Sequence, residues 1–390
     1  MPRSLPILLL LLLAGCGLMF NSPPRVRQVA LADLDGDGAP DAYLANGRYG
    51  EPYTFPTEID FQALFNDGTG AFASRTPPIE SNNYTTVALA DFNGDGAVDV
   101  ALGGQTEAVL LNDGAGSFTR RGRLMQHPDT GAFQGRLALA DLDGDGSVDI
   151  FGAFCCGGVA FDGPGKRWLL FSGNQVWLNN GRGNFRHTGQ LLGRAGSNGV
   201  ALGDLNGDGA IDAFVANGQT NVSVDGAQQY DTPNVVWLND GSGQFHDSGQ
   251  PLGRADSRAV ALADVNGDGT LDAVVGNAAA DEVWLNDGTG TFRDDGQRLG
   301  TEVTREVFLA DLDGDGDVDL FAAGEEVGRV WLNDGSGRFA ATEARVRYDE
   351  YDAVTLGDVD LDGDADVFVA GVRGYRVWLN GGDGRFSRAD

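Results

Sequence analysis

The sequence is poor in the side chains that sulfur- and imidazole-based chemistry requires. Its 390 residues hold three His, three Cys, three Met and a single lysine, Lys166. The histidines (His127, His187, His246) and cysteines (Cys16, Cys155, Cys156) never approach zinc-ligand spacing. No Gly-x-Ser-x-Gly, His-Glu-x-x-His or phosphate-loop motif occurs. Basic side chains number 27 against 57 acidic ones, for a formal charge of −30. They are too few and too scattered for a nucleic-acid groove, and the overall field repels phosphate, so nucleic acid is excluded as a partner. Past the first twenty residues no apolar run approaches the ~20 residues of a membrane-spanning helix. Glycine, by contrast, is abundant at 60 residues, beside 42% hydrophobic and 9% aromatic side chains. That balance excludes a coiled coil, collagen or a disordered acidic tail.

The N-terminus reads as a targeting segment. Arg3 gives a short positive region, Leu5 to Leu13 an apolar core, and Leu13-Ala14-Gly15-Cys16 a small-residue close. This resembles a bacterial lipoprotein signal, with residues 1–15 removed, Cys16 lipidated and 16–26 a tether. An ordinary signal peptide or an uncleaved anchor with an incidental cysteine is the alternative. The expected location is extracytoplasmic, at the outer membrane or cell surface, with the membrane met through the lipid. Cys155 and Cys156 are adjacent. They are either two small core or loop residues or a strained vicinal disulfide.

Two motifs alternate seven times over the remainder. The first is Asp-x-(Asp/Asn)-x-Asp-Gly-x-x-Asp. Its position 1 is Asp33, Asp91, Asp141, Asp204, Asp264, Asp311 and Asp358. Position 3 is Asp35, Asn93, Asp143, Asn206, Asn266, Asp313 and Asp360. Position 5 is Asp37, Asp95, Asp145, Asp208, Asp268, Asp315 and Asp362. Position 9 is Asp41, Asp99, Asp149, Asp212, Asp272, Asp319 and Asp366. The second motif, Leu/Phe-Asn-(Asp/Asn/Gly)-Gly-x-Gly-x-Phe, has its Asn at 66, 112, 179, 239, 286, 333 and 380.

Short runs such as Val260-Ala-Leu-Ala and Val318-Asp-Leu-Phe-Ala flank the first motif, and Val-Trp-Leu-Asn precedes the second. Runs this short, β-branched or aromatic and bounded by Gly/Asp/Asn turns, are strands. Each unit therefore has strands a to d, with the aspartate turn at a–b and the glycine turn at c–d. The last three units repeat every 47 residues. Four strands per unit, seven times, predicts an all-β, seven-bladed β-propeller over 27–390. The blades fall near 27–84, 85–134, 135–197, 198–257, 258–304, 305–351 and 352–390. Trp177, Trp237, Trp284, Trp331 and Trp378 share one position on strand c, replaced by Leu64 and Leu110 in the first two blades. They are expected in the inter-blade core.

Oxygen side chains at positions 1, 3 and 5, a backbone carbonyl at 7, and a sharp Gly turn at 6 are the arrangement that wraps a chain around Ca²⁺. No Glu stands at position 12 and no helices flank, so these are not EF-hands. The four ligand positions of the seven loops contain 25 aspartates, and removing these from a charge of −30 leaves −5 for everything else. So many carboxylates in short turns repel one another without a cation. Up to seven Ca²⁺ ions are expected.

The pairing of Asp33-Leu-Asp-Gly-Asp-Gly-x-x-Asp loops with Trp-Leu-Asn-Asp-Gly-x-Gly-x-Phe turns resembles the FG-GAP/VCBS repeat family. That family includes the integrin α-chain propeller, cartilage acidic protein and Ca²⁺-bearing propeller lectins. The resemblance covers about residues 27–390 and implies a seven-bladed propeller with Ca²⁺ in its a–b turns. Integrins fill three or four loops where all seven carry the motif here, and the 390 residues do not include the extra C-terminal domain of cartilage acidic protein relatives, so cell-matrix adhesion specifically is not expected.

Departures from the repeat fall in the b–c connections Asn46–Asp60, Phe154–Asn174 and Asn217–Asn234, with one long d–a link around His127–Gln134. All lie on the face opposite the aspartate turns, the face where this family generally meets ligands. The insertions carry Tyr49, Tyr53, Trp168 and Tyr230 among Gly, Asn and Gln. Aromatics beside amides can stack on and hydrogen-bond to sugars; pinning of long loops is the alternative. The expected function is a non-enzymatic binding or adhesion module for a glycan or protein ligand. A polysaccharide-active enzyme using carboxylates such as Glu51, Glu58, Asp162 and Asp231, or a purely structural surface protein, is the alternative.

Overall fold

The computed structural model describes residues 25–47, 63–75, 84–104, 108–122, 134–156, 159–161, 167–169, 173–193, 195–218, 222–224, 227–229, 232–348, 353–371 and 374–389. Among them are seven four-stranded antiparallel sheets, two two-stranded ribbons and no helix. The chain is a seven-bladed propeller. Blade 5 shows the plan, with strands Ser257–Ala263, Asp272–Asn277, Asp281–Asn286 and Phe292–Leu299 hydrogen-bonded in chain order.

Small side chains line strand a because seven strands converge on the axis. The core lies between blades rather than within them. One cluster joins Trp177 of blade 3 to Phe92 and Val109 of blade 2, and another joins Trp284 of blade 5 to Phe214 and Val236 of blade 4. Trp177, Trp237 and Trp284 are buried, while Trp331 and Trp378 pack half-buried against their clusters.

Every blade is one continuous stretch of chain, so the ring closes without borrowing a strand. Val26, Leu44, Leu64 and Phe72 of blade 1 pack on Val359, Phe368 and Val377 of blade 7. The Tyr375 hydroxyl donates to the Phe72 carbonyl at 2.8 Å and accepts from its N–H at 3.0 Å. Between blades 3 to 6 the equivalent Phe N–H is met by glutamine instead. Gln190, Gln250 and Gln297 each accept from the second-motif Phe N–H of the next blade at 2.8–2.9 Å. They also donate to the carbonyls of Gly243, Gly290 and Gly337 at 2.6 Å.

Among the described residues, the b–c insertions of blades 3 and 4 contain secondary structure of their own. Val159–Phe161 pairs with Arg167–Leu169 in blade 3, and Val222–Val224 with Ala227–Gln229 in blade 4. The two ribbons lie side by side. Their roots are ordinary blade geometry. Phe154 N–H donates to Asn174 Oδ1 and Asn217 N–H to Asn234 Oδ1, just as Asn277 N–H donates to Asp281 Oδ1 across the short turn of blade 5.

Candidate functional site

The aspartate loops wrap around their first residue. In blade 1 Asp33 accepts from Gly36 N–H at 2.7 Å and Gly38 N–H at 2.9 Å. The pair recurs at Gly94 and Gly96, Gly144 and Gly146, Gly207 and Gly209, Gly267 and Gly269, and Gly314 and Gly316. Position 5 accepts from the N–H of position 7, for example Asp37 from Ala39 at 2.9 Å. Such turns require positive φ at glycine, and Gly38 has φ 94°.

The loops divide by what stands at position 3. Where it is Asn, the side-chain amide donates to the position-5 carboxylate: Asn93 to Asp95, Asn206 to Asp208 and Asn266 to Asp268, at 2.8–2.9 Å. An internal donor thus takes up part of the negative charge. Where it is Asp, three carboxylate oxygens converge within 4.8 Å of one another: Asp33, Asp35 and Asp37; Asp141, Asp143 and Asp149; Asp311, Asp313 and Asp315; Asp358, Asp360 and Asp366. In blade 1 the Arg75 guanidinium, itself over the Phe65 ring, pairs with Asp35. Burial first, then the neighbouring aspartates, pushes Asp143, Asp313 and Asp360 above the ordinary carboxylate range. Asp35 Oδ1 and Asp360 Oδ1 are buried with no hydrogen-bond partner among the described residues. Orphaned carboxylate oxygens among other hard oxygens fit a divalent cation such as Ca²⁺.

Position 9 does more than the sequence pattern suggests. All seven of these aspartates are fully buried. One oxygen accepts from the N–H of loop position 2, as Asp41 does from Leu34 at 2.9 Å. The other accepts from the second-motif Asn N–H at 2.7–2.8 Å in every blade. Only Asp149 and Asp366 also join the carboxylate clusters found among the described residues. Burial pushes Asp41, Asp149, Asp272, Asp319 and Asp366 up to about 6, and raises Asp99 and Asp212 in the same way.

The second-motif asparagine is the residue that motif reading missed. As sequence it is one letter of a glycine turn. In the fold its Nδ2 donates to the position-2 carbonyl of the preceding blade's aspartate loop: Asn112 to Leu34, Asn179 to Phe92, Asn239 to Leu142, Asn286 to Leu205, Asn333 to Val265 and Asn380 to Leu312. Asn66 donates to Val359, which closes the circle. The seven loops therefore form one hydrogen-bonded belt. The only available signal was the invariant 14-residue offset from position 9 to Asn in blades 5 to 7.

Of the residues expected to carry the ligand or the lipid, Tyr49, Tyr53, Tyr230 and Cys16 lie outside the described residues, as do most of the first insertion and the link near His127. Trp168 is placed on the second strand of the blade 3 ribbon, paired with Ala160, the strand that lies against the blade 4 ribbon. The face opposite the aspartate loops is concave at its centre, where a cavity of about 440 Å³ opens on the propeller axis. His187 Nδ1 accepts from Gly189 N–H at 3.0 Å and His246 is exposed.

A continuous ring of acidic turns on one face and a concave reverse face define a repeat-built propeller. The chain belongs to the family of FG-GAP-like repeats, whose profile matches residues 33–102, 163–215, 222–275, 264–322 and 311–369. A comparison with curated protein sequences finds no match. Among solved structures, the chain is similar to an Agrocybe aegerita lectin described as recognising non-reducing terminal N-acetylglucosamine. The identity is 21%, with 92% of each chain covered and a TM-score of 0.58. It is similar to the BP39L lectin of Burkholderia pseudomallei at 15% identity, covering 94% of this chain and 98% of that one, with a TM-score of 0.58. The BBS1N chain crystallised with ARL6DN shares 13% identity over 91% of each chain, with a TM-score of 0.55. These likenesses establish the ring, and the neighbours are binding and repeat proteins.

Proposed function

We propose that the protein is a calcium-stabilised propeller that binds a glycan through the face opposite its aspartate loops. In this reading it is exported and held at the cell surface by lipid on Cys16. The observation that carries the ligand reading is the concave centre of that face; the b–c connections of blades 3 and 4 add two ribbons that lie side by side. The lectin neighbours support glycan over protein, and Trp168, Tyr49, Tyr53 and Tyr230 supply stacking surface in the insertions. For the cation, positions 1, 3, 5 and 9 of each loop supply the oxygens. The loops of blades 3, 6 and 7 are the stronger sites, because blades 2, 4 and 5 already satisfy one carboxylate with an amide and blade 1 pairs one with Arg75. A bound cation would neutralise the turns and lock the belt. It takes no part in chemistry.

The test is a glycan array and a partner pull-down with the chain from residue 21, with and without Ca²⁺. Glycan hits are expected. Protein-only hits would replace the glycan by a protein ligand, and release of products from a bound polysaccharide would establish the enzyme alternative. Replacing Cys16 by Ser should abolish fatty-acid labelling; a variant that still takes up label would remove the anchor from the account.

A further inference from the structure

The axial cavity carries a charge opposite to that of the chain. Its wall takes side chains from six blades, including Arg27, Arg136, Asn198, Arg258 and Arg305. Of these, Arg27, Asn198, Arg258 and Arg305 each stand six residues before the first aspartate of their blade. In blades 1, 4 and 5 that residue is the extra one at a β-bulge, where pairing skips Arg27, Asn198 and Arg258. A bulge re-aims a side chain that regular alternation would send elsewhere. Here it delivers long polar side chains to the axis. Six strand residues separate this mouth from the acidic loops by about 20 Å, roughly two Debye lengths at physiological salt.

Four guanidinium groups face Glu306 and Glu325 in this cavity, within a chain of 57 acidic and 27 basic residues. One of the existing pairs is open and the other half-buried. Arg305 meets Glu325 at 2.6 Å with side chains 48% and 61% exposed, and Arg136 reaches Glu306 from a blade that is not its neighbour. Exposed pairs contribute little and are readily exchanged. Arg258 meets Asp256 at 2.5 Å through Nη2, but its Nε is buried with no hydrogen-bond partner among the described residues. Guanidinium forks match a carboxylate through two parallel N–H donors.

We propose that this mouth binds the carboxylate of an acidic saccharide, with Arg258 and Arg305 of adjacent blades as its principal contacts. The proposal rests on the glycan reading above and adds the charge class of the ligand. Titration calorimetry of the full chain, in 0.15 M salt with Ca²⁺, would use oligogalacturonate, oligoglucuronate and sialyllactose, each beside its methyl ester. The ester keeps the sugar and removes the charge. At least one free acid should bind, with its ester at least tenfold weaker. An Arg258→Gln/Arg305→Gln variant should lose at least tenfold for the acid while keeping its melting temperature. Equal binding of acid and ester, or undiminished binding by the variant, overturns the proposal. So does failure of all three acids while neutral glycans bind, which leaves the glycan reading standing. If no glycan of either kind binds, that reading falls as well.

Discussion

Leu361 breaks a rule that six other loops obey. Position 4 is glycine in blades 1 to 6, with φ between 73° and 78°, whereas Leu361 holds φ 62° with its side chain 54% exposed. A left-handed backbone costs an L-residue roughly 1–2 kcal/mol, and so exposed a side chain recovers little of it by burial. Leu361→Gly should therefore stabilise the metal-free protein by about 1 kcal/mol in a denaturant titration, while Leu361→Ala, still an L-residue, should not. Asp281 poses the opposite problem, a carboxyl with adequate partners in too dry a place. It accepts from Asn277 N–H and the Thr304 hydroxyl, both at 2.9 Å, yet burial pushes it up to about 7. Because the folded state holds this proton more tightly than the unfolded chain, the stability it contributes is complete below about pH 4 and is lost as pH rises through about 7. Asparagine already fills the equivalent place at Asn174 and Asn234. Asp281→Asn should raise the melting temperature at pH 8 relative to wild type and give little or no gain at pH 4, and an equal gain at both would show that the carboxyl does not titrate there.

At the scale of loops and strands, the legible part of the site was the part encoded in local spacing. Positions 1, 3, 5 and 6 of the aspartate motif act within nine residues, so their geometry could be read from the letters alone. The links between blades could not. Asn66 and Val359 lie 293 residues apart, and nothing local in Asn-Asp-Gly says which carbonyl the amide will find. The same reach hid the double duty of position 9, whose spacing suggests only a ligand. It gives the loops a distinctive pH response. Without a cation, the raised position-9 carboxyls make the fold bind more protons than the unfolded chain, so stability should rise as pH falls from about 7 toward 4. Protons compete with Ca²⁺ for the same oxygens, so the stabilisation by cation should shrink over that range. Melting curves at pH 5 and pH 7.5, with EDTA and with Ca²⁺, check both signs. EDTA-treated protein that is metal-free by elemental analysis yet melts as the Ca²⁺ form does at pH 7.5 would remove the cation from the account.

For the whole molecule, the seven copies of the paired motifs were enough to state the number of blades and the strands in each. The closure was not, because a propeller can close by exchanging a strand or by packing alone. Here no strand is exchanged: side-chain packing and hydrogen bonds join blade 1 to blade 7, with the Tyr375 hydroxyl meeting the Phe72 N–H as a glutamine amide meets the equivalent N–H between blades 3 to 6. Sequence arithmetic also located the insertions, and the fold adds that at least two of them are grafts. Their roots are clamped by the hydrogen bond of an uninserted blade, so ring and insertions are separable in principle. That separability underlies the central claim, that the aspartate loops hold the ring while the opposite face binds. The direct measurement compares two variants on the same identified ligand. One keeps Phe154 and Asn174 but joins them through the Ala278-Ala279-Ala280 turn of blade 5. The other replaces Asp311, Asp313 and Asp315 by Ala. The first should melt nearly as wild type, keep its Ca²⁺ and lose the ligand; the second should melt lower, hold less Ca²⁺ and retain most of its affinity. Normal binding by the first, together with loss of binding by a folded second, would put the ligand on the aspartate face and contradict the claim.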